Sequence, residues 1–263
     1  MTTNNAAGLN MKGGVMAEYR AFEVVNELSS SPVLLLCDHA SNFVPPTVSG
    51  GDLGLSAEDM ARHIAWDVGA AALTRLLSAQ LGAAAILSNF SRLVIDPNRG
   101  PDDPTLLMKL YDGSIIPANR HADAAELERR KALCHTPYHD AITARLDAME
   151  ARGQTPHILS IHSFTPQLRA RPPRPWHVGI LWDSDTRLVT PLLEALRDEP
   201  DIVTGDNEPY TGRLEGDCMH RHGTMRGLPH VLIEIRNDLI SGETGQQEWA
   251  ARLTRLLAPL LPT

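Results

Sequence analysis

Cysteine is scarce in this 263-residue chain: Cys37, Cys134 and Cys218 are widely spaced, odd in number and form no CxxC pair. That argues against a disulfide framework and against a thiolate zinc cluster, and makes a reducing cytoplasm the simplest location. Basic charge is also short. Lys and Arg number 24 against 32 Asp and Glu, a formal charge of −8, so no general attraction to nucleic acid or to an anionic membrane is expected, and an anionic substrate has to be met by locally placed cations. Long apolar runs are missing. Leu34 to Cys37 and Leu256 to Leu261 are far too short to span a bilayer, and the N-terminus has no basic region followed by an apolar one, so neither export nor a membrane anchor is predicted. There is no internal repeat, no P-loop and no GxGxxG, which removes most support for a nucleotide-binding enzyme.

The composition, 43% hydrophobic and 21% charged, is that of a globular protein, and the length fits one α/β domain. Residues 1–16 (MTTNNAAGLNMKGGVM) are polar and Gly-rich without periodicity. They read as a disordered lead-in to a single domain over 17–263. Short, nearly continuous apolar runs recur at Val33–Cys37, Ala84–Leu87, Leu93–Ile95, Ile158–Ile161, Val178–Trp182 and Val231–Ile235. Runs of this kind predict strands buried on both faces, in a mixed, mostly parallel sheet flanked by helices. Helical patterns cover Ala57–Leu81, with Ser56 as N-cap and Glu58 and Asp59 in the first turn, and Ala122–Arg152, with a break near Thr136-Pro137. Two more are expected at Arg187–Arg197 and Gln246–Ala258. Pro- and Gly-rich loops follow the strands, where α/β proteins place their sites.

Chemistry-bearing residues gather in those loops. His39 ends the run Val33–Cys37 in the turn Cys37-Asp38-His39-Ala40-Ser41-Asn42, and His162 ends another in Ser160-Ile161-His162-Ser163-Phe164. Two strand-end histidines can converge on one sheet edge and bind a metal through one ring nitrogen each. Glu234 stands among Val231, Leu232, Ile233 and Ile235. An unpaired carboxylate there costs several kcal/mol; it is either ion-paired with a neighbour or a general base whose pKa is raised by its surroundings. Arg92 and Arg99 flank a short apolar run, and Arg99 beside Asn98 offers a planar fork and an amide for a carboxylate. The plainer reading pairs either arginine with Asp96. His63 and Asp67, four apart, are expected on one helix face, where either can supply a third metal ligand or both can form a surface pair. His222, upstream of the Glu234 run, is expected at the substrate or the developing oxyanion. A cysteine hydrolase using Cys37 beside His39 is disfavoured, Cys37 lying at the end of an apolar strand.

Taken together, the strings CDHASNFVP, RHIAWDVGA, SRLVIDPNRGPDD, LSIHSFTP, NEPYTG and HGTMRGLPHVLIEIRNDLI, in this order from about Val33 to Ile240, resemble the N-formylglutamate amidohydrolase family. That family is similar in architecture to the zinc-dependent exopeptidases. The carboxypeptidase order of zinc ligands, Asn-Arg pair, further His ligand and Glu base has its counterpart here in His39, Asn98-Arg99, His162 and Glu234. Asn42 stands where those enzymes place a Glu ligand, so the third position is assigned to Asp67, with Asp38 and His63 open. The resemblance implies one zinc ion on His39, Asp67 and His162, with Glu234 as base and Arg92 at the oxyanion. Asn98 and Arg99 would hold the carboxylate of a small N-acyl amino acid, N-formyl-L-glutamate being split to formate and L-glutamate. The rivals are a hydrolase of another N-acyl amino acid or short peptide, and a non-catalytic protein that binds an acylated amino acid.

Overall fold

The computed structural model describes residues 19–262; the expected lead-in over 1–16 lies outside them. An antiparallel edge strand, Phe22–Val25 (β1), precedes the apolar run Val33–Cys37 (β2), and Ala84–Ser88 (β3) follows. A small hairpin, Leu110–Tyr111 (β4) and Ser114–Ile115 (β5), stands apart from the main sheet. His157–Phe164 (β6), Val178–Leu181 (β7), Thr204–Asp206 (β8) and His230–Arg236 (β9) complete the strands. The seven-stranded sheet has the order β1-β3-β2-β6-β9-β7-β8. Only β1 with β3 and β7 with β9 pair antiparallel; the pairings of β2 with β3 and β6, of β6 with β9 and of β7 with β8 are parallel. This is the single-domain, mostly parallel α/β sheet expected.

Alternation along the strands feeds two cores. Val33, Leu35 and Cys37 of β2 point into one, with Leu159 and Ile161 of β6 and Val231, Ile233 and Ile235 of β9. The opposite face carries Leu34, Leu36, Ile158 and Leu232. His162 and Glu234 fall in the same register row, directly opposite each other, and on the face of Leu232, because side chains two apart on a strand share a face.

Helices cover both faces: Ala57–Met60 (α1), Ala70–Leu81 (α2), Pro117–Arg120 (α3), Ala124–Arg130 (α4), Thr136–Ala151 (α5), Val189–Arg197 (α6), Cys218–His222 (α7) and Glu243–Leu257 (α8). Ser56 caps α1 as expected, its side chain accepting from the Asp59 amide. The single long helix over Ala57–Leu81 is not formed. It stops at Met60 and resumes at Ala70, past Gly69 at φ +85°, because the Asp67 amide donates to the His39 carbonyl at 2.9 Å instead of continuing a helix. At Gly69 a Cβ would lie 2.2 Å from the Ile240 carbonyl oxygen, so only glycine lets the chain turn there. The expected break near Thr136-Pro137 is a π turn over Lys131–His135, after which α5 runs on with Pro137 in its first turn.

The run Leu93–Ile95 is not a strand. Its buried backbone finds partners elsewhere: the Leu93 carbonyl accepts from Asn119 Nδ2 at 2.7 Å and the Val94 carbonyl from Arg130 Nη1 at 2.9 Å. The neighbouring Arg92 amide donates to the Ala65 carbonyl. Buried backbone groups need partners, not necessarily a ladder, and here side chains supply them. Among the described residues no helix is long and apolar enough to cross a membrane.

Candidate functional site

The carboxyl ends of β2, β6 and β9 open into a cavity of about 380 Å³, within the size range of small-molecule sites. His39 reaches it from the turn after β2. His162 sits inside β6, which runs three residues further than its apolar run suggests, and Glu234 inside β9. Asp67 arrives from the turn between α1 and α2, not from a helix face shared with His63. Arg92, Asn98 and Arg99 line the same cavity. The structure thus brings seven of the eight expected site residues to one wall, drawn from five separate segments.

Two imidazoles and one carboxylate converge at its floor. His39 Nδ1 lies 3.3 Å and His162 Nδ1 2.8 Å from the same oxygen, Asp67 Oδ2, and the three candidate ligand atoms lie within 4.8 Å of one another. Each imidazole has a second carboxylate behind it: His39 Nε2 lies 2.7 Å from Asp96 Oδ1, and His162 Nε2 3.0 Å from Asp38 Oδ2. A neutral imidazole has a single N–H. With that proton on Nε2, both Nδ1 lone pairs face an Asp67 oxygen, an arrangement that requires protons or a cation between them. Carboxylate-backed histidines with inward lone pairs are the hallmark of metal-ligating imidazoles. With both imidazoles neutral, as metal ligands must be, Asp38, Asp67 and Asp96 against the guanidinium of Arg92 leave an excess of two negative charges, which a divalent ion offsets. The residues fit the metal the resemblance implies. Asp38, held also by Tyr138 Oη at 2.8 Å and Ser160 Oγ at 3.2 Å, is an outer partner of His162. His63 lies outside the group, its Nε2 3.5 Å from Asp112 Oδ2.

The electrostatics follow from these contacts. Burial opposes charge on His162, but the bonds to Asp38 and Asp67 outweigh it and hold the imidazole well above its usual range. Burial likewise raises Asp67 and Asp96, yet His39 and His162 around the first, and Arg92 and His39 around the second, hold both well below the usual carboxylate range. Glu234 behaves oppositely. Burial pushes its carboxyl up to about 7, only partly countered by His162, and its Oε2 is buried without a hydrogen-bond partner among the described residues.

The plainer reading of Arg92 is correct in part. Its Nε and Nη2 donate to Asp96 Oδ2 at 3.1 and 2.7 Å, while Nη1 lies 3.7 Å from Asp67 Oδ1. Arg99 differs: its bonds go to Thr105 Oγ1 and the Asn98 carbonyl, not to a carboxylate. Asn98 is fixed by Asp96, which accepts from its amide, and by the Cys218 amide, which donates to its Oδ1 at 3.1 Å. His222 does not line the cavity. It is buried on α7, its Nε2 2.8 Å from His139 Nδ1 of α5.

Two functional contributions went unread in the sequence. Asp96 appeared there only as a partner for arginine; the signal that finds it is the rule that a ligating histidine needs an outer acceptor. His135 and His139 hold the Pro97–Arg99 loop from behind, donating to the carbonyls of Arg99 at 3.2 Å and Pro97 at 3.0 Å. Tyr111, Tyr210 and Asp217 complete the wall, with burial raising the Asp217 carboxyl to about 6.

An α/β sheet carrying carboxylate-backed histidines and a desolvated glutamate in a cavity at its strand ends is an arrangement that hydrolytic enzymes use. The chain belongs to the N-formylglutamate amidohydrolase family, whose model matches residues 31–241. Among solved structures it is similar to the gene product Atu2144 from Agrobacterium tumefaciens, at 36% identity and a TM-score of 0.87 over 93% of this chain and 96% of that one. It also shares its fold with the N-formylglutamate amidohydrolase from Ralstonia eutropha JMP134, at 23% identity and a TM-score of 0.62 over 91% of this chain and 95% of that one. No curated protein sequence matches it.

Proposed function

We propose that this amidohydrolase cleaves the amide of an N-acylated amino acid, N-formyl-L-glutamate first among them, with His39, Asp67 and His162 holding a divalent metal ion, zinc by the nature of the donors. When bound, such an ion acidifies water and polarises a carbonyl as a Lewis acid. The observation that carries the reading is Glu234: a buried carboxyl pushed up to about 7 by desolvation, its Oε2 without a hydrogen-bond partner among the described residues, directly across the ladder from His162. Such a group takes a proton from attacking water and returns it to the departing amide nitrogen, the role of a general base and then acid. Arg92 lines the cavity with Nη1 not engaged by Asp96, and would stabilise negative charge on the carbonyl oxygen. Arg99, without a carboxylate partner among the described residues, would take the α-carboxylate together with Asn98. The order of these groups along the chain parallels that of the zinc carboxypeptidases, which supports the assignment.

A second reading, another N-acyl amino acid as substrate, is favoured by the wall itself. The cavity lining also includes Phe164, Leu181, Leu214 and Leu232, surfaces kinder to an apolar side chain than to a second carboxylate. The test is formate release from N-formyl-L-glutamate beside a panel of N-formyl and other N-acyl amino acids, using stripped and zinc-restored protein. Zinc-dependent release from the glutamate derivative supports the first reading, and from apolar derivatives only, the second. A zinc-loaded protein that hydrolyses none of them overturns both in favour of a binding protein.

A further inference from the structure

We propose that Cys218, His139 and His222 form a second metal site, structural in role, for zinc or another thiophilic divalent ion. Cys218 and His222 lie four apart on α7 and therefore share one helix face, the spacing that lets one helical turn supply two ligands. His139 faces them from α5. All three are buried, and their ligand atoms lie within 4.8 Å of one another. None of them lines the hydrolytic cavity, and the donor set, one thiolate with two imidazoles, differs from the carboxylate-rich set there.

The tautomer of His139 is settled by its neighbour. Its Nε2 lies 3.0 Å from the Pro97 carbonyl, which can only accept, so the proton sits on Nε2 and the Nδ1 lone pair points into the cluster. This is how an outer acceptor orients a ligating imidazole. Without an ion, His222 Nε2–H bridges the 2.8 Å to that lone pair. With one, His222 carries its proton on Nδ1 instead, and the Cys218 thiol releases its proton to solvent as the sulfur binds.

The location gives the ion a task. α7 is five residues long, too short to persist on local hydrogen bonds, yet its first amide holds Asn98 Oδ1 and the Pro97 carbonyl is held by His139. An ion here would join α5, α7 and the Pro97–Arg99 loop into one rigid unit behind the cavity.

The experiment is metal analysis of the full-length protein loaded with zinc and dialysed. Two ions per chain are expected in the wild type, one in Cys218→Ser, and one in His162→Ala. The cobalt-substituted wild type and His162→Ala should show a thiolate-to-cobalt charge-transfer band that Cys218→Ser lacks. Zinc-edge X-ray absorption on the wild type needs no variant and should report a sulfur neighbour at about 2.3 Å. A single ion per chain with only nitrogen and oxygen neighbours overturns the proposal and leaves His139 and His222 as a hydrogen-bonded pair. None of these readouts depends on which amide the enzyme cleaves.

Discussion

Two groups of buried histidines lie on either side of one carboxylate–phenol pair, Asp38 and Tyr138, and their settings are opposite. His39 and His162 each meet a carboxylate at both ring nitrogens. His135, His139 and His222 meet backbone carbonyls and one another. Burial is similar in the two groups, yet His162 is held well above its usual range while burial leaves His139 well below and lowers His222 to about 4. Burial alone therefore does not say what a histidine is for; the count of carboxylates around it does. The first group carries an anionic surplus suited to a cation, whereas the imidazoles of the second are held neutral and brace the loop that carries Asn98 and Arg99.

The comparison is broken most severely at Glu234. Replacement by Gln keeps the shape and removes the base, so hydrolysis should fall by roughly 10²- to 10⁴-fold with metal content unchanged; a variant retaining activity excludes Glu234 from proton transfer. The same group sets the acid side of the pH profile. With its carboxyl raised to about 7, Glu234 is protonated below that pH and cannot accept a proton, so kcat/KM should rise with pH up to about 7 and then level. A flat profile from pH 5 to 8 would show another group in control.

Asp96→Asn tests the anionic side directly. The outer partner of His39 remains able to accept a hydrogen bond but loses its charge, and zinc affinity measured against a competing chelator should weaken by about 10- to 100-fold. If affinity is unchanged, the carboxylate surplus is not what gathers the ion. Arg99→Ala removes a cavity cation that has no carboxylate partner among the described residues. KM for carboxylate substrates should rise by roughly 10- to 100-fold, the worth of hydrogen bonds to a charged group at about 1.5–3 kcal/mol, while neutral amides of the same acyl group are little affected. Equal effects on both would remove the clamp.

How much of this was legible in the sequence depends on where each residue finds its partners. β2, β3 and β9 were readable because strands buried on both faces are apolar throughout, and His39, His162 and Glu234 because each interrupts or ends such a run. β1, half-buried at the sheet edge, and β8, only Thr204–Asp206, carry no comparable run. Leu93–Ile95 has the composition of a strand and is not one, since the groups that satisfy its backbone, Asn119 and Arg130, lie 26 and 36 residues away and leave no local mark. His222 reads as a substrate residue because it precedes β9 in sequence, whereas the contact of its ring with His139 of α5, 83 residues away, leaves no local mark. Asp67 was reached for a reason that the fold replaces, a helix face that is in fact a turn anchored to His39.

The smallest effect belongs to the neutral group. His135 Nε2 donates to the Arg99 carbonyl at 3.2 Å, a neutral hydrogen bond worth about 0.5–1.5 kcal/mol. Its loss in His135→Ala should therefore raise KM for carboxylate substrates only by about 2- to 10-fold, leaving kcat and zinc affinity in place. Gln at this position can still donate an N–H toward the carbonyl and should recover much of the loss, which a purely space-filling role would not. Nε2 donates in both the neutral and the protonated ring, and burial lowers the His135 pKa, so the variant should not move the midpoint of the pH profile. A His135→Ala enzyme whose midpoint shifts while its KM stays put would mean that the brace couples to Glu234, and the two histidine groups would then have to be treated as one electrostatic unit.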